Sequence, residues 1–197
     1  MKTALALGMT LLSVASFGAA QADRVKSPAG TSATQLGENG RWIEITAGRP
    51  IKRGRDLWGT GSNYGKTLNP TAPVWRAGAD VSTRLKTEAP LQIGGKSVPA
   101  GEYSLFIDLK LPEWTLIISS WPAMDKFDPA NKTALWGAYN YTADKDVVRV
   151  PMKLDKLPYD VDQLTWSFVD MTNDGGRMAI MWGKTMASTP FKAGAAR

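Results

Sequence analysis

From Arg41 onward the chain alternates apolar and polar positions with a period of two. Ile43, Ile45 and Ala47 fall between Trp42, Glu44 and Thr46, the pattern of a half-buried strand over Arg41 to Ala47. Val81, Thr83 and Leu85 share one face of a second strand, with Ser82, Arg84 and Lys86 on the other. Tyr103, Leu105, Ile107 and Leu109 alternate with Ser104, Phe106 and Asp108, and Trp114, Leu116 and Ile118 follow after Pro112. Val148, Val150, Met152 and Leu154 read as inward against Val147, Arg149, Pro151 and Lys153. Pro151 cannot donate to a ladder and places that strand at an edge or a bulge. Leu164, Trp166 and Phe168 predict another strand, as do Met178, Ile180 and Trp182. Shorter strands are expected at Trp136 to Tyr141 and near Ile51–Trp58.

Turn chemistry separates these runs. Gly94-Gly95 predicts a tight hairpin between Leu91–Ile93 and Lys96–Val98, and Asn173-Asp174-Gly175-Gly176 predicts another. Trp121 to Thr133 breaks the alternation with prolines and scattered charge and reads as a loop. About ten short strands with turn signals between them predict an all-β protein, an antiparallel β-sandwich of jelly-roll-like form. The single domain is expected over residues 41–190, between a flexible lead-in at 23–40 and a flexible tail at 191–197. The lead-in is rich in Ser, Thr, Gly and Ala, a composition typical of mobile termini.

Residues 1–22 read as a signal peptide. Lys2 supplies the positive end, Ala4 to Val14 the apolar core, and Ala20-Gln21-Ala22 a small-residue cleavage site. The apolar run is too short for a membrane span of about 20 residues, and no later segment is longer, so no membrane insertion is expected. The mature chain is expected in the periplasm or outside the cell. Its length suits one domain of about 100–200 residues.

The chain of 197 residues has no cysteine and no histidine. That excludes Ser-His-Asp and Cys-His catalysis, thiol redox work, zinc fingers and histidine-bound metals. An enzyme of this composition would have to work with carboxylates, Tyr, Lys, Arg or an oxygen-bound metal. Asp170, Thr172, Asp174 and Gly175 mimic the start of a calcium loop, but Met181 stands where the bidentate Glu belongs. No metal or other cofactor is therefore expected. Gly59 and Gly61 lack the Lys-Ser/Thr pair of a phosphate loop, and no basic–aromatic motif points to nucleic acid.

The formal charge of +6 is concentrated in one place. Between Gly48 and Lys86 stand Arg49, Lys52, Arg53, Arg55, Lys66, Arg76, Arg84 and Lys86, against only Asp56 and Asp80. Arg49, Arg55 and Arg76 are candidates to grip a carboxylate, sulfate, phosphate or sugar acid with their guanidinium forks. Trp58, Tyr64 and Trp75 are candidate apolar walls. Asp80 could orient an arginine, or act as a general base if desolvated. The alternative is an Asp80 ion pair with Arg76 or Arg55, and tryptophans that plug one end of the sandwich. Lys52 and Arg53 read as solvated surface, Trp166 and Trp182 as core.

Gly48-Arg49-Pro50, Lys52-Arg53-Gly54-Arg55, Trp58-Gly59, Tyr64-Gly65 and Val74-Trp75-Arg76-Ala77-Gly78-Ala79 resemble the signature of an exported bacterial family known as domain of unknown function 2911. Ala100 to Phe106, Glu113-Trp114-Thr115, Trp136-Gly137-Ala138-Tyr139, Asp146 to Val150 and Trp182-Gly183 continue it in order. The resemblance implies export and a β-rich fold, with no established activity. Two departures stand out: Asp80 where the family usually has Asn, and an extra segment from Lys66 to Pro73.

The sequence therefore predicts a non-enzymatic exported β-sandwich. Its Arg/Trp loop region is expected to hold a small anionic or carbohydrate-like ligand, or an envelope partner. A hydrolase or lyase built on Asp80 with Arg55 and Arg76, and a purely structural envelope protein, are the alternatives.

Overall fold

The computed structural model describes residues 26–37 and 40–194; the expected signal peptide lies outside the described residues. The strands are β1 (Ala29–Gln35), β2 (Trp42–Gly48), β3 (Ala79–Thr87), β4 (Leu91–Ile93), β5 (Lys96–Val98), β6 (Gly101–Asp108), β7 (Trp114–Ser119), β8 (Asp146–Thr172) and β9 (Gly175–Ala193). They form one nine-stranded sheet in the order β1-β2-β3-β6-β7-β8-β9-β4-β5, and every pairing in it is antiparallel. The all-β expectation holds.

The sheet bends into two facing halves because β8 is long enough to serve both. Its first residues pair with β7 as far as Met152, and from Lys153 it pairs with β9. Pro151 stands beside that handover. Its missing N–H matters little there, since the only ladder partner it has is Thr115 of β7. Beyond it, register shifts between Lys156 and Thr165 interrupt the β9 ladder and turn the strand. The far edge of the first half is tied to the same strand. Lys52 N–H donates to the Asp162 carbonyl at 2.6 Å, and Leu164 N–H donates to the Pro50 carbonyl at 3.0 Å.

One buried cluster fills the space between the halves. Ile43, Ile45, Leu85, Leu105, Ile107, Leu116, Val148 and Val150 face Leu91, Ile93, Leu164, Trp166, Met178 and Ile180 across it. These are the inward positions of the period-two pattern, so burial of apolar area drives the register. A second cluster lies on the opposite face of β6 and β7, where Phe106 and Ile117 are covered by Val74, Leu135, Ala138 and Tyr141. Both faces of β6 and β7 are therefore buried.

Three expectations are corrected. The lead-in at 23–40 contains β1, which pairs with β2 along its whole length. Its small and polar residues give no apolar alternation, so the main-chain ladder holds it. The tail at 191–197 begins inside β9, which runs to Ala193 with Phe191 buried. Trp136 to Tyr141 is a turn instead of a strand. Gly137 and Asn140 have φ of 62° and 61°, left-handed values that end any extended run. Near Ile51–Trp58 the extended structure reduces to one bridge, Ile51 to Gln163. Both glycine-marked hairpins form as expected.

Candidate functional site

The Gly48–Asp80 stretch leaves β2, crosses one end of the sandwich and returns as β3. Tight turns shape it. Arg53 and Gly54 take positive φ, and the Asp56 carboxylate accepts the backbone N–H of Trp58 and Gly59. Trp75 rejoins the sheet through a bridge to Ile107. Asp80 enters β3 at φ 62°, a conformation that Asp and Asn tolerate better than other side chains.

Four indoles from distant parts of the chain meet at this end. Trp58 lies edge-on to Trp114 at 4.6 Å between centroids, to Trp75 at 6.0 Å and to Trp182 at 6.2 Å. Trp75 and Trp182 stack at 6.2 Å and 11°. Trp58 Nε1 donates to Thr185 Oγ1, Trp114 Nε1 to the Tyr64 hydroxyl and Trp182 Nε1 to the Asp162 carbonyl. Burial raises the Tyr64 pKa, and the Trp114 N–H works in the opposite direction. With the N–H groups of Trp58, Trp114 and Trp182 hydrogen-bonded and the four rings in mutual contact, these side chains close the end of the core.

Beside this plug lies an open cleft of about 490 Å³. Lys26, Arg53, Arg55 and Arg76 border it, with Asp80 the only acid among the described residues that line it. None of the four cations has an ion-pair partner among the described residues, whereas Lys52 is paired with Asp160 and Arg84 with Asp125. Arg55 donates from Nε to the Lys52 carbonyl and from Nη2 to the Ile51 carbonyl, and its guanidinium lies 5.6 Å from the Trp182 ring centre. Arg76 lies 5.2 Å from the Tyr139 ring centre and donates from Nη1 to the Asp80 main-chain carbonyl. Uncompensated positive charge over an apolar floor raises the local concentration of anions.

The predicted site residues divide. Arg55, Trp75, Arg76 and Asp80 line the cleft; Arg49, Trp58 and Tyr64 do not. Arg49 donates from Nε to the Leu164 carbonyl at 3.1 Å and from Nη2 to Thr165 Oγ1 at 3.2 Å, which ties β2 to β8. Trp58 borders a smaller hollow shared with Arg55, Asp160 and Thr185. Asp80 forms no ion pair with Arg76 or Arg55; the guanidinium of Arg76 meets its backbone carbonyl.

Lys26, Arg53 and Trp182 join the cleft without having been singled out for it. For Trp182 the signal was the Trp-Gly pair in the family-like pattern. Lys26 gave none. Among the described residues no group of three acidic side chains is placed to hold a metal ion, and Asp170 is bonded to Arg177.

Comparison with characterised proteins and with solved structures gives no match. A family model does match, over residues 27–191, and that span takes in both halves of the sheet, the tryptophan plug and the cleft apart from Lys26. The chain therefore belongs to the family described as protein of unknown function DUF2911.

Proposed function

We propose that this is an exported binding protein that holds a small anion, such as a carboxylate- or phosphate-bearing metabolite or sugar acid, in the cleft between Arg55 and Arg76. The observation that carries the reading is the gathering of four cations without ion-pair partners among the described residues, around one cavity whose single described acid is Asp80. Pockets of about 300–1,000 Å³ suit small molecules, and planar guanidinium groups suit the two oxygens of a carboxylate or phosphate. Trp75 and Trp182 are each 2% exposed, so the cleft offers charge and hydrogen bonds more than an open stacking face. Asp80 is itself exposed, which favours a binding role over that of a desolvated general base.

Thermal shift against a panel of sugar acids, phosphates and short peptidoglycan fragments tests this. At roughly ten times Kd a ligand should raise Tm by about 3–6 °C. Arg76→Ala should abolish the shift. A panel that moves Tm nowhere removes the proposal and favours a structural envelope protein.

A further inference from the structure

A second concavity, of about 500 Å³, lies in the loop between β7 and β8. This loop crosses the outer face of the sheet and is pinned there. Buried Ser82 on β3 donates its hydroxyl to the carbonyls of Leu135 and Gly137, and Met124 and Leu135 are joined through the main chain. Leu135 and Ala138 cover Phe106 and Ile117 from above. The concavity is therefore built on packed support.

Three aromatic side chains border it. Phe127 is 56% exposed and Tyr139 46% exposed, while Trp136 is half-buried with its ring edge-on to Phe127 at 6.2 Å. Polar groups stand among them. Asp128 Oδ1 accepts the Ala130 N–H, but Oδ2 has no partner among the described residues. The Asn140 amide has none either, and Lys132 donates to the Pro129 carbonyl with two N–H groups to spare. One acid and one base balance in charge, unlike the cationic cleft.

We propose that this concavity is a binding site for an uncharged saccharide. A sugar ring presents C–H groups to aromatic faces and hydroxyls that both donate and accept, so it meets every group in the lining. A lipid chain would leave Asp128 and Asn140 unsatisfied, at a desolvation cost. An added peptide strand needs a free sheet edge, and β3, β6 and β7 beneath the loop are paired on both sides. The site stands apart from the cationic cleft, although Arg76 of that cleft lies over the Tyr139 ring. Phe127 and Trp136 are therefore the residues to test.

The experiment is calorimetric and tryptophan-fluorescence titration of the full chain with trisaccharides of glucose, mannose and N-acetylglucosamine, and with a proline-rich peptide. One sugar should bind saturably with a change in tryptophan emission. Phe127→Ala should weaken it about tenfold, and Trp136→Ala, checked for an unchanged melting transition, should do the same. Arg55→Ala should leave sugar affinity intact while impairing anion binding, which keeps the two sites distinguishable. No saturable response to any of the three sugars up to about 10 mM overturns the proposal. So does sugar binding that both aromatic variants retain, or binding of the peptide alone.

Discussion

The guanidinium of Arg76 reaches the main-chain carbonyl of Asp80 at 2.7 Å, while the Asp80 carboxylate accepts no hydrogen bond among the described residues. The pair is thus joined through backbone, and the side chain of Asp80 is not needed to hold it. Asp80→Asn should leave stability within about 0.5 kcal/mol, because Asn accepts the same left-handed backbone. It also removes the only negative charge among the described residues of the cleft, so anion affinity measured by calorimetry should rise severalfold. Weaker binding in this variant would mean that the carboxylate touches the ligand. Asp80→Val is the contrasting case: a β-branched side chain at this φ should cost about 1–3 kcal/mol in urea unfolding.

Gly137 sits under the same arginine. A Cβ placed on it would come within 2.5 Å of Arg76 Cζ and Nη1, and its φ is 62°. The guanidinium is the end of a flexible chain and can move aside, so the stability loss in Gly137→Ala should come mainly from the backbone, at about 1 kcal/mol. The functional loss should be larger. Arg76 would leave its seat over Tyr139, and anion binding should fall as far as in Arg76→Ala.

Arg49 and Arg55 look alike in sequence and differ in what they hold. Arg49→Ala should destabilise by about 1–3 kcal/mol by leaving the Leu164 carbonyl and Thr165 hydroxyl without their donors. Anion binding should persist in whatever fraction stays folded. Arg55→Ala should reverse that order, with affinity lost and stability little changed. Denaturant unfolding alongside ligand titration separates the two.

Tyr141 donates its hydroxyl to Asp146 Oδ2 at 2.5 Å, and Arg149 donates to both groups. Burial, then the hydrogen bond and the charge of Asp146, hold the Tyr141 pKa well above its ordinary value. Burial also raises Tyr64 and Tyr103. In the unfolded chain these phenols lose their protons first, so above about pH 10 the folded state retains more protons than the unfolded one. Stability should be constant through neutral pH and fall as pH climbs past 10, with tyrosinate absorbance lagging behind that of the unfolded chain. Tyr141→Phe should flatten this alkaline decline and cost about 1–2 kcal/mol at neutral pH, from the lost hydrogen bond to a carboxylate whose side chain is only 6% exposed.

Strands were legible wherever one face meets the core, as at Ile43 and Ile45 or Val148 and Val150, because burial writes a period of two into the sequence. β1 carries no such mark, since a main-chain ladder asks nothing of Ala, Ser and Thr side chains. The turn at Trp136–Asn140 misled because its apolar residues cover Phe106 from outside, and only Gly137 hinted at a left-handed backbone. In the site, Arg55 and Arg76 were legible as candidate anion contacts in a loop dense with glycine and proline, whereas the ion pair weighed for Asp80 is replaced by a contact of Arg76 with its main-chain carbonyl. The plug weighed for the tryptophans anticipated Trp58, but the structural roles of Arg49 and Tyr64 were not legible, because their partners Leu164 and Trp114 are far away along the chain.

β8 gives both halves of the sheet a common spine. Pro50 and Ile51 at one wall of the cleft are fastened to it directly, and Trp182 at another belongs to β9, its ladder partner. A binding protein of two lobes can open and shut around its cargo; here two walls of the cleft are fastened to one continuous strand pair and have no lobes to swing. Under the proposed function a ligand would enter a socket already at its working width. Affinity is then set by how well the ligand's charges meet those of the rim, and little binding energy is diverted into closing the protein around it.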